Sequence, residues 1–225
     1  MNISEFGSTP HQGRPRIAVT PDLGVAPVAK EVRARFAIAC QALSDIVDVE
    51  QAAPDCHGAI EAFRTLRAAH VANGYGALLK QRRAELTPTV IWNIEAGRRL
   101  TAQDYLSAER CRTALYRSFC DLFAQTDFLV TPAASVLPWK NEAGDVMRID
   151  DIRLETPIDY LAITFIVSLV GFPVLTLPTP RRADEKPFGI QIIAAPGRES
   201  ELFVFGRKIE SEFGFAHRPS LFHGR

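Results

Sequence analysis

The order of apolar runs predicts an α/β protein, a partial mixed sheet flanked by helices. Strand-like runs alternate along the chain with stretches of helical period. Two of those runs, "VLTL" at 174–177 and "FGIQIIA" at 188–194, are nearly all apolar, the pattern of strands covered on both faces. Few other strand-like runs are available to neighbour them. The sheet is therefore expected to be incomplete within these 225 residues.

The elements follow in order. "RIAVT" at 16–20 reads as a short strand stopped by Pro21. After the turn "PDLGVAP", Val28, Val32, Phe36, Cys40, Leu43 and Val47 step by three or four and predict a helix over 28–47. "IVDVE" at 46–50 leaves it as a second strand. Residues 58–85 read as helix interrupted at Gly74-Tyr75-Gly76. Thr87-Pro88 caps and starts a shorter helix. Thr101 and Asp104 resemble a capping box for the next one, with Tyr105, Ala108, Leu115, Phe119 and Leu122 on one side. "DFLVTP" at 127–132 is a strand ending at proline, and 133–151 has no period and reads as a long loop. Thr156-Pro157 opens an apolar helix, and the two apolar strands and a closing helix with Leu202, Phe205, Ile209 and Phe213 inward complete the chain. The domain expected is residues 15–220, with a flexible segment at 1–14 and a tail at 221–225.

Residues 160–177 carry no charge and approach the length of a membrane span. Gly171 followed by Pro173 is instead a helix stop, so a buried helix, a sharp turn and a buried strand are expected. Lys+Arg and Asp+Glu both number 26, which gives no electrostatic case for nucleic acid or an anionic membrane surface. Cys40, Cys56, Cys111 and Cys120 form no C-x-x-C pair, and free thiols in a cytoplasmic setting are expected. The N-terminal stretch lacks the apolar segment of a secretory signal.

The chemistry-bearing residues are sparse. The five histidines, His11, His57, His70, His217 and His223, show no zinc-ligand spacing, so no metal or cofactor is expected. There is no G-x-S-x-G elbow, no phosphate-binding P-loop and no G-x-G-x-x-G run. Cys56-His57 are neighbours in sequence with no third group to orient them, a weak basis for a thiol nucleophile.

Three stretches, in this order, resemble the C-terminal half of the amidase signature family: "GRPRIAVTPDLGVAPVAKEVRARFAIACQAL", "GRRLTAQDYLSAERCRTALYRSFCDLFAQTDFLVTPA" and "SLVGFPVLTLP…PFGIQIIAAPGRESELF". The last is similar to the family's N-x-x-G-x-P…P-x-G-x-Q pattern, with Ser168 where the family often has Asn. The resemblance implies a hydrolase of amide C–N bonds. It also implies a Ser–cis-Ser–Lys triad in which a neutral lysine relays a proton to activate the nucleophile, and an oxyanion hole of backbone N–H groups. No two serines are adjacent here, and Lys30, Lys80, Lys140, Lys186 and Lys208 lie in none of the family's catalytic context.

No catalytic residue is therefore assigned to this chain. The resemblance implies that Thr131, Pro132, Ala133, Ser168, Gly171, Gly189 and Gln191 approach a small-molecule amide substrate, completed by a catalytic half from elsewhere. Each also has a purely structural reading: a strand end, a helix stop, close packing, or a satisfied backbone group. Two further readings stand beside the amide hydrolase. One is a non-catalytic binding protein derived from an amidase. The other, the weakest, is an independent hydrolase using Cys56 or a serine with histidine. An unpaired sheet edge implies association with another chain or with itself.

Overall fold

The computed structural model describes residues 14–181 and 184–214. The expected N-terminal segment lies almost wholly outside the described residues, as do the tail, His11, His217 and His223. The first strand, β1 (Arg16–Val19), is followed by α1 (Lys30–Ser44) and β2 (Asp48–Gln51). Helices α2 (Ala59–Tyr75), α3 (Leu78–Gln81), α4 (Pro88–Arg98) and α5 (Ala102–Phe123) come next, then β3 (Phe128–Pro132). A small hairpin of strands β4 (Arg148–Ile149) and β5 (Ile152–Arg153) precedes α6 (Ala162–Val170). Strands β6 (Val174–Pro178) and β7 (Gly189–Ile193) and helix α7 (Glu199–Glu212) end the described fold.

The five expected strands form one mixed sheet in the order β2-β1-β3-β7-β6. Strand β1 runs parallel to both β2 and β3, whereas β7 is antiparallel to β3 and to β6. The parallel pair β1–β2 is joined through α1, as parallel strands require a crossover. Ile17, Leu129, Ile190, Ile192 and Ile193 are fully buried and form the sheet's contribution to the core. Each such side chain contributes roughly 1.5–3 kcal/mol relative to exposure.

Side chains alternate across the sheet, and the register sorts them. Leu175 and Leu177 of β6 face α7, where Gly206 lets the helix come down onto them. Phe128 of β3 stacks on Phe205 of α7, centroids 4.6 Å apart. The opposite face carries Gln191, whose amide reaches the Ile163 carbonyl of α6. Behind α6, Phe165 stacks on Phe63 of α2 at 4.0 Å. Helices α2 and α4 approach so closely that a Cβ at Gly97 would sit 2.0 Å from the Ala68 carbonyl oxygen.

Several local expectations hold. Thr101 Oγ1 accepts from Asp104 N at 3.1 Å, and Asp104 Oδ2 accepts from Thr101 N at 2.8 Å, a reciprocal cap on α5. Thr87 caps α4 with Pro88 at its first position. Gly171 ends α6 with φ +70°, a conformation that side-chain-bearing residues resist, and β6 begins three residues on. Among the described residues no helix is long and apolar enough to cross a membrane.

Three expectations need correction. Strand β6 is not covered on both faces: Val174 is 41% exposed, and Thr176 and Pro178 are exposed too. It is an edge strand, paired with β7, and α7 covers one of its faces. The 133–151 loop is not structureless, since the β4–β5 hairpin begins within it, turning through Asp150 at φ +48°. The apolar helix does not open at Thr156-Pro157. Asp159 Oδ2 accepts from the backbone of Glu155 (3.1 Å) and Thr156 (2.8 Å), and Oδ1 accepts from Thr156 Oγ1 (2.6 Å). That turn holds the chain until a single 3₁₀ turn leads into α6 at Ala162.

Candidate functional site

Adjacent positions on β6, β7 and β3 form a polar row across the sheet. Thr176 pairs with Gln191, and Gln191 pairs with Thr131. Gln191 Nε2 donates to Thr131 Oγ1 at 2.7 Å and to the Ile163 carbonyl at 2.8 Å. The Thr131 hydroxyl donates in turn to the Pro132 carbonyl at 3.1 Å. Thr131 is fully buried and Gln191 nearly so, while Thr176 is exposed. The row thus runs from core to surface. Its buried end is fixed by hydrogen bonds that a ligand would have to replace.

Pro132, Ala133 and Gly189 extend this cluster. Ala133 N donates to the Gly189 carbonyl at 2.9 Å. A Cβ on Gly189 would lie 3.0 Å from the Leu177 carbonyl oxygen and 3.6 Å from Ala133 Cβ, so the missing side chain permits the packing. Beyond it a hollow of about 420 Å³ is lined by Ala134, Leu137, Trp139, Phe188 and Gly189.

Ser168 and Gly171 are not part of that cluster. They lie at the C-terminal end of α6, next to the start of β6, whereas Ala133 and Gly189 lie at its far end by Pro178. At about 3.4 Å per strand residue, the length of β6 separates the two groups. The exposed Ser168 hydroxyl donates to Thr164 O at 3.1 Å. It opens onto a groove of about 810 Å³ between α2, α5 and α6. Phe63, Leu66, Val71 and Leu169 supply the groove's apolar lining, and Arg67, His70, Tyr105, Glu109 and Arg112 supply its polar lining. Burial pulls the Arg67 guanidinium below its ordinary pKa.

Sequence reasoning missed Thr176 and Arg67. Thr176 was within reach, as the polar member of an apolar run two positions from Val174 and Pro178. Arg67 carried no local signal, because its place on the groove follows from how α2, α5 and α6 pack. Cys56 is buried, and burial first, then Asp55 and Cys111, push its thiol up to about 12. A thiol so placed is a poor nucleophile.

These features describe a mixed α/β protein with a polar row in its sheet and an apolar groove beneath its central helices. The sequence matches the Amidase family over residues 5–203, and the chain belongs to that family. It is 33% identical over 122 residues to a glutamyl-tRNA(Gln) amidotransferase subunit from Gluconobacter oxydans, covering 53% of this chain and 23% of that protein. It is 24% identical over 130 residues to a fatty acid amide hydrolase from Arabidopsis thaliana, covering 56% of this chain and 21% of that one. Its fold superposes on a bacterial aryl acylamidase of the amidase signature family with TM-score 0.79 at 19% identity. That match covers 92% of this chain and 46% of the acylamidase. The chain thus spans under half of that structure, and the matched regions are under a quarter of the two curated relatives.

Proposed function

We propose that this chain is the part of an amide-bond hydrolase that completes the sheet and supplies walls of the substrate pocket. Its catalytic serines and lysine would come from polypeptide outside these 225 residues. The observation that carries this reading is a conjunction. Residues 5–203 match the Amidase family, yet the sequence contains no Gly-Gly-Ser-Ser-Gly stretch of the kind in which the family carries its proton relay. In this reading Thr131, Pro132, Ala133, Gly189 and Gln191 shape one end of the pocket wall. Ser168 and Gly171 shape the other, at the mouth of the α2–α5–α6 groove. The substrate is a small amide, the setting is cytoplasmic, and no nucleic acid or membrane takes part. A partner chain is supported by likeness to a protein that is one component of an amidotransferase.

The test is hydrolysis of simple carboxamides such as hexanamide. The assay uses the purified chain alone and the chain co-expressed with the serine-bearing half of an aryl acylamidase. Turnover is expected with the complement and not without it. Enzymic turnover by the chain alone would sink the reading. Failure of the two halves to associate, together with a monomeric chain that binds ligands without hydrolysing them, would favour the non-catalytic alternative.

A further inference from the structure

The groove between α2, α5 and α6 contains a guanidinium, that of Arg67, which finds no carboxylate partner among the described residues. Among the described residues, five arginines are half-buried: Arg33, Arg35, Arg64, Arg67 and Arg198. Arg33 lies 2.5 Å from Asp22, Arg35 3.6 Å from Glu185, Arg64 2.6 Å from Asp159, and Arg198 3.3 Å from Asp127. Arg67 instead gives Nη1 to the amide oxygen of Asn93, a neutral partner. Among the described residues the groove is lined by one carboxylate, Glu109, and it is occupied by Arg112 at 2.7 Å. A guanidinium that has lost part of its water without gaining an anion is the costly state of such a group. The cost is removed when an anion arrives, and a planar carboxylate suits the fork.

The surrounding lining limits what that anion can be attached to. Phe63 and Leu66 lie about a turn or less before Arg67 on α2, Val71 lies about a turn beyond it, and Leu169 of α6 closes the other wall. All four are half-buried, so part of their apolar surface remains wet. A volume of about 810 Å³ holds a small organic molecule with room to spare.

We propose that this groove binds a small molecule whose apolar body ends in a carboxylate, with the carboxylate on Arg67 and the body against Phe63, Leu66, Val71 and Leu169. Calling that molecule a substrate rests on the amide-hydrolase reading. The binding site itself does not, and its test needs no turnover.

Isothermal titration of the full chain with octanoate and with neutral octanamide separates the two contributions. Octanoate should bind at least about ten-fold more tightly, equivalent to about 1.4 kcal/mol. Arg67→Gln should bring octanoate down to the octanamide level, Arg67→Lys should retain most of the preference, and Val71→Trp should weaken both ligands by filling the lining. Melting curves check that the variants fold, and the Arg67→Lys result separates loss of charge from loss of structure. Equal binding of acid and amide, no binding of octanoate, or an acid preference that survives Arg67→Gln would each overturn the proposal. Octanoate binding by a chain that gains no amidase activity from the complement would leave this site standing and the hydrolase reading fallen.

Discussion

Arg64 of α2 holds Asp159 by two parallel hydrogen bonds, Nε to Oδ1 at 3.0 Å and Nη2 to Oδ2 at 2.6 Å. The side chains are 16% and 4% exposed, so the pair is largely dry. The same carboxylate organises the turn ahead of α6, and one ion pair thereby joins the α2 layer to the helix that lies over Gln191. Glu61 and Glu155 complete the arginine's surroundings.

Removing the arginine should therefore cost more than a surface pair would. Arg64→Met leaves a buried carboxylate without its counterion, and a loss of about 3 kcal/mol is expected in urea unfolding at pH 7. A loss below about 0.5 kcal/mol would mean that the pair behaves as a solvated surface contact.

The same pair sets a pH dependence. Burial would raise Asp159, but hydrogen bonds from Arg64 and Thr156 and the arginine's charge hold it below the usual carboxylate range. A depressed folded value means stability that is fully present above the unfolded value, near ~4, and lost as pH falls through the lower folded one. The stability gap between wild type and Arg64→Met should accordingly narrow below about pH 4. A gap that stays constant from pH 7 to pH 3 would remove this account.

The Thr131–Gln191 contact should appear as an energetic coupling. Gln191→Leu strips the Ile163 carbonyl and Thr131 Oγ1 of their donor, at an expected cost of about 1–3 kcal/mol. Combined with Thr131→Val, the loss should fall short of the sum by about 1 kcal/mol. Strict additivity would show that the two side chains do not depend on each other.

Two glycines at helix contacts should respond differently to a methyl group. At Gly97 the added Cβ meets backbone, the Ala68 carbonyl, and helices α2 and α4 must separate. At Gly206 it meets Leu175 Cδ2 at 2.1 Å, the movable end of a side chain on an edge strand. Gly97→Ala should cost about 3 kcal/mol and Gly206→Ala about 1. Thermal melts of the two variants give the order directly.

Thiol reactivity should follow burial. Burial pushes Cys40 up to about 11, and burial with nearby Asp55 and Cys111 pushes Cys56 up to about 12, whereas Cys120 is exposed. With iodoacetamide at pH 8, mass spectrometry should find Cys120 modified first and Cys40 and Cys56 protected until urea is added. Rapid labelling of Cys56 in the native chain would reopen the thiol nucleophile that its burial argues against.

Much of the fold was legible in the residues because its signals are local. The cap of Thr101 and Asp104, the stop at Gly171 and the five strand runs each depend on a few neighbouring positions. What escaped depends on partners distant in sequence. A two-residue strand such as Arg148–Ile149 has no period to detect. A largely apolar run such as "VLTL" does not reveal that one of its faces is bare, since that depends on what packs above it. Asp159 reads as one acid in a polar stretch until Arg64, far back in the chain, is placed against it. The polar row was partly visible: Thr131 and Gln191 came from the resemblance, and the register joined Thr176, the polar member of its run, to them.

The outer rim of β6 has one more consequence. In its ladder with β7, Pro173 O accepts from Ala194 N and Thr179 N donates to Phe188 O, so odd-numbered residues point inward and even-numbered ones outward. Position 178 is a proline, which leaves the amides of Val174 and Thr176 as that rim's outward donors within the strand. A newcomer could zip on through no more than two complete backbone rungs, at Val174 and Thr176. Whatever docks there must win much of its grip from shape and greasy contact, and Pro178, whose missing donor falls on the outward side, limits promiscuous fibril-like stacking.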